Sequence, residues 1–60
     1  MTVKEAVEAC EFISCDVVDF NGDVVDITEQ NKNNIYSLSV EHISAKDNIV
    51  QIWTWINYPY

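Results

Sequence analysis

Apolar side chains recur at Val3, Ala6, Val7, Cys10 and Ile13, a spacing that lines one face of a helix, while Lys4, Glu5, Glu8 and Glu11 fall on the other. Thr2 and Glu5 form a capping box: the threonine oxygen accepts from a free N–H of the first turn and the glutamate reaches back. An amphipathic helix of about three turns is therefore predicted, lying on the chain's own sheet rather than in a partner's groove. The period then becomes alternating. Residues 15–20 (CDVVDF) and 23–28 (DVVDIT) flank Asn21-Gly22, the pair that best tolerates the two positive φ angles of a tight hairpin. In a two-residue register Phe20, Val18, Val25 and Ile27 share one face, with Asp16 and Asp23 at its ends and Asp19 and Asp26 diagonal on the other. A three-residue loop with a bulge after Gly22 would instead set Asp19 opposite Asp23 and Asp16 opposite Asp26, placing like charges across the ladder. The two-residue register is expected.

Residues 29–34 lack periodicity and predict a connecting loop or a single loose turn. Leu38 and Val40 then alternate with Ser37, Ser39 and Glu41, but Ile43 is out of phase, which predicts a bulge near Glu41 and His42. Lys46-Asp47-Asn48 supplies turn chemistry. The stretch from Ile49 to Ile56 is dense in β-branched and aromatic residues and predicts a central strand, stopped by Pro59 before the aromatic tail. Val50, Ile52 and Ile56 would face one way, and Ile49, Trp53 and Trp55 the other. One helix covers only one face of a sheet, so a second copy is expected on the other, making a homodimer. The expected fold is α+β: one N-terminal helix packed on an antiparallel sheet of about four strands, in a single domain over residues 1–60.

Ten acids against Lys4, Lys32 and Lys46 give a formal charge of −7. That field repels nucleic-acid phosphates and anionic membranes and attracts basic surfaces, so direct nucleic-acid or membrane binding is not expected. No apolar run is long enough to span a bilayer, and the first residues lack the pattern of a secretory signal, so a cytoplasmic location is expected. In that compartment Cys10 and Cys15 are expected as free thiols.

The sharpest chemical motif is Asp19-Phe20-Asn21-Gly22-Asp23, whose oxygens could suit calcium. Its glycine comes before the third oxygen residue instead of after it, however, and the twelfth position is Gln30 where a glutamate is required. Cys10, Cys15 and His42 lack zinc-ligand spacing, and His42 is expected on an exposed or edge position. A core this thin leaves little room for a catalytic pocket. Neither enzymatic activity, nor a metal, nor a cofactor is expected. What remains is acidity: Glu5, Glu8, Glu11, Asp16, Asp19, Asp23, Asp26 and Glu29 place eight of the ten acids in the first half. Carboxylates on a rigid surface can imitate duplex phosphates toward a DNA-binding protein; ordinary solvated surface charge is the alternative. Trp53, Trp55 and Tyr58 are the candidate anchors of a dimer or partner interface.

Along nearly its full length, TVKEAVE, DFNGDVV, a polar spacer and VEHISAKDNIVQIWTWI, the chain resembles short uncharacterised proteins encoded by phages and prophages of low-GC Gram-positive bacteria. Small acidic phage proteins of this sort include anti-CRISPR inhibitors. The resemblance implies an early accessory or anti-defence role, and the acidic residues make a host nuclease or DNA-handling complex with a basic surface the expected partner. It transfers no catalytic or binding residue, and the two tryptophans and aromatic end depart from the general pattern. A structural phage protein that only self-assembles is the alternative expectation.

Overall fold

The computed structural model describes residues 1–10 and 13–57. Helix α1 spans Val3–Ala9, β1 Cys15–Val18, α2 Lys32–Tyr36, β2 Val40–Lys46 and β3 Ile49–Thr54. The capping box opens α1 as the spacing predicts: Thr2 Oγ1 accepts from the Glu5 N–H at 3.2 Å, and Glu5 Oε1 accepts from the Thr2 N–H at 3.0 Å. At seven residues the helix is shorter than expected. Val3 and Ala6 are buried, whereas Ile13 lies beyond the helix and is exposed.

The sheet is three-stranded and mixed, in the order β1-β3-β2. β3 is central, as its composition predicts. β2 joins it antiparallel through the two-residue turn Asp47-Asn48, and the register slips between Val40 and His42, where the phase of Ile43 predicts a bulge. β1 runs parallel to β3, with Val17 beside Ile52 and Val18 beside Trp53. The expectation of about four antiparallel strands is therefore corrected. After the hairpin loop the chain makes only one isolated bridge with β1, Val18 to Val24, and one flanking bond from the Val25 N–H to the Val17 carbonyl at 2.8 Å. It then leaves the sheet, because Thr28 and Asn31 satisfy each other's backbone: Asn31 Oδ1 accepts from the Thr28 N–H at 2.7 Å and Thr28 Oγ1 from the Asn31 N–H at 3.3 Å. The Asn31 amide also donates to the Asp26 carbonyl at 3.0 Å. Backbone groups that would have formed a fourth strand are used in entering α2. The segment expected as a loop or loose turn thus continues into a short helix that buries Ile35.

Val3, Ala6, Val17, Val25, Ile35 and Ile52 form one core, with Val50, Leu38 and Ile56 packed against it. This core lies on the side of the sheet shared by Val17 and Ile52, and α1 and α2 cover it. Backbone bonds also tie the N-terminus to the start of β2: the Val3 N–H donates to the Leu38 carbonyl at 2.8 Å and the Val40 N–H to the Met1 carbonyl at 2.9 Å.

Candidate interaction surface

Residues 20–22 form a three-residue loop closed by Asp19 and Asp23, not the expected two-residue one. The Gly22 N–H donates to the Asp19 carbonyl at 3.1 Å and the Asp19 N–H to the Asp23 carbonyl at 2.9 Å. Gly22 alone has positive φ there, at 90°. This is a turn closed by a glycine bulge. The two consecutive positive φ angles of a tight hairpin occur at Asp47 (54°) and Asn48 (66°) instead.

The register sets Asp19 opposite Asp23, and the repulsion expected of it is avoided because the Asp19 side chain turns inward. Its Oδ1 accepts from the Asn21 N–H at 2.9 Å and the Asp23 N–H at 3.0 Å. Asp19 is 1% exposed, and its second oxygen, Oδ2, is buried with no hydrogen-bond partner among the described residues. It holds the loop together and is not part of the charged surface. That corrects its place among the expected contact acids.

On the sheet face opposite the helices, Trp53 is half-buried within the chain itself. The Gly22 loop lies against its ring, so that a Cβ at Gly22 would sit 3.3 Å from Trp53 Cη2. His42 stacks on it with centroids 5.1 Å apart and planes at 17°. Trp53 Nε1 donates to Ser44 Oγ at 3.1 Å, and that hydroxyl donates to Gln51 Oε1 at 3.2 Å. The hairpin loop and His42 thus shield much of the face that a second copy was expected to cover.

Trp55, in contrast, is 59% exposed beside Phe20, itself 51% exposed, with ring centroids 5.8 Å apart. The Phe20 N–H donates to the Ile56 carbonyl at 2.8 Å, fixing the loop against the segment that follows β3. Val24, 57% exposed, sits on the same hairpin. Phe20 and Val24 were legible only as strand residues; their role in an outward-facing group depends on the loop type.

The remaining acids do not gather on one face. Glu5 and Glu8 lie on the solvent side of α1, and Asp23, Asp26 and Glu29 are exposed along the loop and the chain leaving it. Asp16 is half-buried opposite Gln51, on the sheet face away from the helices. Glu11 and Tyr58 lie outside the described residues. The Thr2 N–H and hydroxyl on its carboxylate hold Glu5 below the usual carboxylate range. Cys10 and Cys15 are free thiols, and burial, with the neighbouring Cys10 second, pushes the Cys15 thiol up. His42 is exposed on the edge strand, its Nδ1 3.3 Å from Glu41 Oε1.

Among the described residues there is no concave pocket and no group of three metal-ligating side chains, and no helix is long and apolar enough to cross a membrane. The arrangement offers contact chemistry: a fixed aromatic pair beside solvated carboxylates. No family model, curated protein or solved structure matches the chain.

Proposed function

We propose that this chain is a non-enzymatic accessory protein that binds and inhibits a basic, nucleic-acid-handling protein of a bacterial host. The observation that carries the proposal is the Phe20–Trp55 pair, held outward on a hydrogen-bonded loop next to the exposed Asp23. Large aromatics at the centre of a contact supply most of its affinity, and a rim of carboxylates selects a basic partner and speeds its approach. The net charge of −7 adds a long-range field of the same sign. The resemblance to phage-encoded proteins fits an anti-defence role in the host cytoplasm, in which exposed acids take the place of nucleic-acid phosphates. Asp23, on the same loop as Phe20, is the acid set beside the Trp55 and Phe20 anchors, and the exposed Asp26, Glu29, Glu5 and Glu8 act through the longer-range field.

A pull-down from a bacterial lysate, read by mass spectrometry, tests this with three baits: the wild-type chain, the Asp23→Asn/Asp26→Asn variant and the Trp55→Ser variant. A nuclease or DNA-handling complex should be recovered by the first and depleted from the other two. Equal recovery by all three baits would exclude this surface.

A further inference from the structure

The two edges of the sheet are finished differently. Beyond β1, the returning chain bridges at Val18–Val24 and donates from the Val25 N–H to the Val17 carbonyl, so that edge is largely occupied. The outer edge of β2 is occupied only at its start, where the Val40 N–H donates to the Met1 carbonyl and Thr2 bridges Ser39. Lys46 and Ile49 flank a two-residue turn and so form a hydrogen-bonded pair. Alternation from that pair directs the backbone of Lys46 and Ser44 toward β3 and that of Ala45 and Ile43 outward. Nothing among the described residues pairs with those two N–H and two C=O groups. Ile43 is moreover 48% exposed, at the rim of the helix-covered face. An open edge with an apolar side chain at its middle is a template for another strand.

We infer that this edge pairs with the β2 edge of a second copy of the chain, antiparallel about a two-fold axis, with Ile43 opposite the second copy's Ala45 and Ala45 opposite its Ile43. Three observations select this occupant and register. The four outward groups satisfy one another completely, with both bonds exchanged in each pair. The N-terminal residues bonded to Leu38 and Val40 block a ladder shifted further toward the start of β2, while a shift the other way shortens the ladder and runs it into the Asp47-Asn48 turn. Charge permits it: β2 carries one acid, Glu41, and one lysine, Lys46, although the chain as a whole is strongly acidic. In this register Glu41 faces the second copy's Asp47 at each end of the seam, and Lys46 of the second copy, opposite His42 and one position along, is the charge that offsets those two carboxylates. The result is a six-stranded sheet with both helix layers on one side and both Trp53 faces on the other. The self-association first expected of the tryptophan face is thereby placed at an edge.

Hydrogen exchange by NMR on the intact chain reads the seam directly. The amides of Ile43 and Ala45 should exchange about tenfold more slowly in concentrated than in dilute samples, while exposed amides elsewhere hold their rates. Sedimentation equilibrium should show a 6.9 kDa species giving way to one of twice that mass as concentration rises. Ala45→Pro removes an outward donor without touching the β3 ladder, and Ile43→Lys replaces the apolar contact with a charge; each should yield a folded monomer, verified by circular dichroism. Trp55→Ser should still dimerise. A monomer at every concentration would overturn the inference, and so would a dimer that survives both β2 variants or that is lost with Trp55→Ser. Concentration-independent exchange at Ile43 and Ala45 that slows only when a lysate partner is added would assign the edge to a foreign strand and overturn self-pairing.

Discussion

Asp19 shows how one carboxylate can be read as surface charge and serve as internal architecture. Its Oδ1 holds two loop N–H groups while Oδ2 is buried without a partner, so the side chain contributes strong bonds and carries an uncompensated desolvation cost. Asp19→Ala should lower stability by about 2 kcal/mol, seen as a lower urea midpoint, because the loss of two loop hydrogen bonds outweighs release of the orphan oxygen. Asp19→Asn, which keeps an acceptor at Oδ1, should lose less; equal midpoints for Asp19→Ala and wild type would refute the role. Any test of the acidic surface should therefore neutralise Asp23 and Asp26 and leave Asp19 in place. Gly22→Ala meets two obstacles together, a backbone φ of 90° and a contact of 3.3 Å with the Trp53 ring. It should cost about 1–2 kcal/mol from the backbone alone. Tryptophan fluorescence should shift if the ring is displaced.

Among the elements, α1 depends on its first turn. Because Glu5 is held below its usual value of 4.5 by bonds from Thr2, the capped helix is favoured above that pH, and the contribution fades as pH falls through the lowered value. Thr2→Ala and Glu5→Gln should each flatten the acid limb of the stability curve followed by circular dichroism; an unchanged acid limb would mean the box is not populated in solution. The capping box, the bulge and the central position of β3 were legible because each rests on a local pattern: Thr2 with Glu5, the phase slip at Ile43, and the β-branched run after Ile49. The hairpin register was not, because an inward turn of Asp19 removes the repulsion that the spacing alone implies. The entry to α2 was written as Thr28-x-x-Asn31, the geometry of a capping box with asparagine where glutamate or glutamine is usual. Parallel pairing of β1 with β3 joins segments more than thirty residues apart, and no local pattern encodes a partner at that distance. For the surface, the acids were readable as a set, but their division between the two sides of the sheet, and the pairing of Phe20 with Trp55, depend on the loop and the topology.

At the scale of the whole molecule, affinity for a basic partner should fall steeply as salt rises, because exposed charges are screened over about 8 Å at physiological ionic strength. Titration calorimetry with a captured partner should show Asp23→Asn/Asp26→Asn weakening binding mainly at low salt, whereas Trp55→Ser weakens it at every salt concentration. Affinity indifferent to salt would remove electrostatics from the mechanism. The order of assembly follows from the place of β3. Both β1 and β2 join the sheet through it, yet it is the last of the five elements to be translated. A ribosome therefore carries α1, β1, α2 and β2 without the strand that unites them, and the sheet can close only once residue 54 has cleared the exit tunnel. Until then Val17 and Val18 have no central strand to lie against, which leaves the nascent chain dependent on its dense negative charge to stay dispersed.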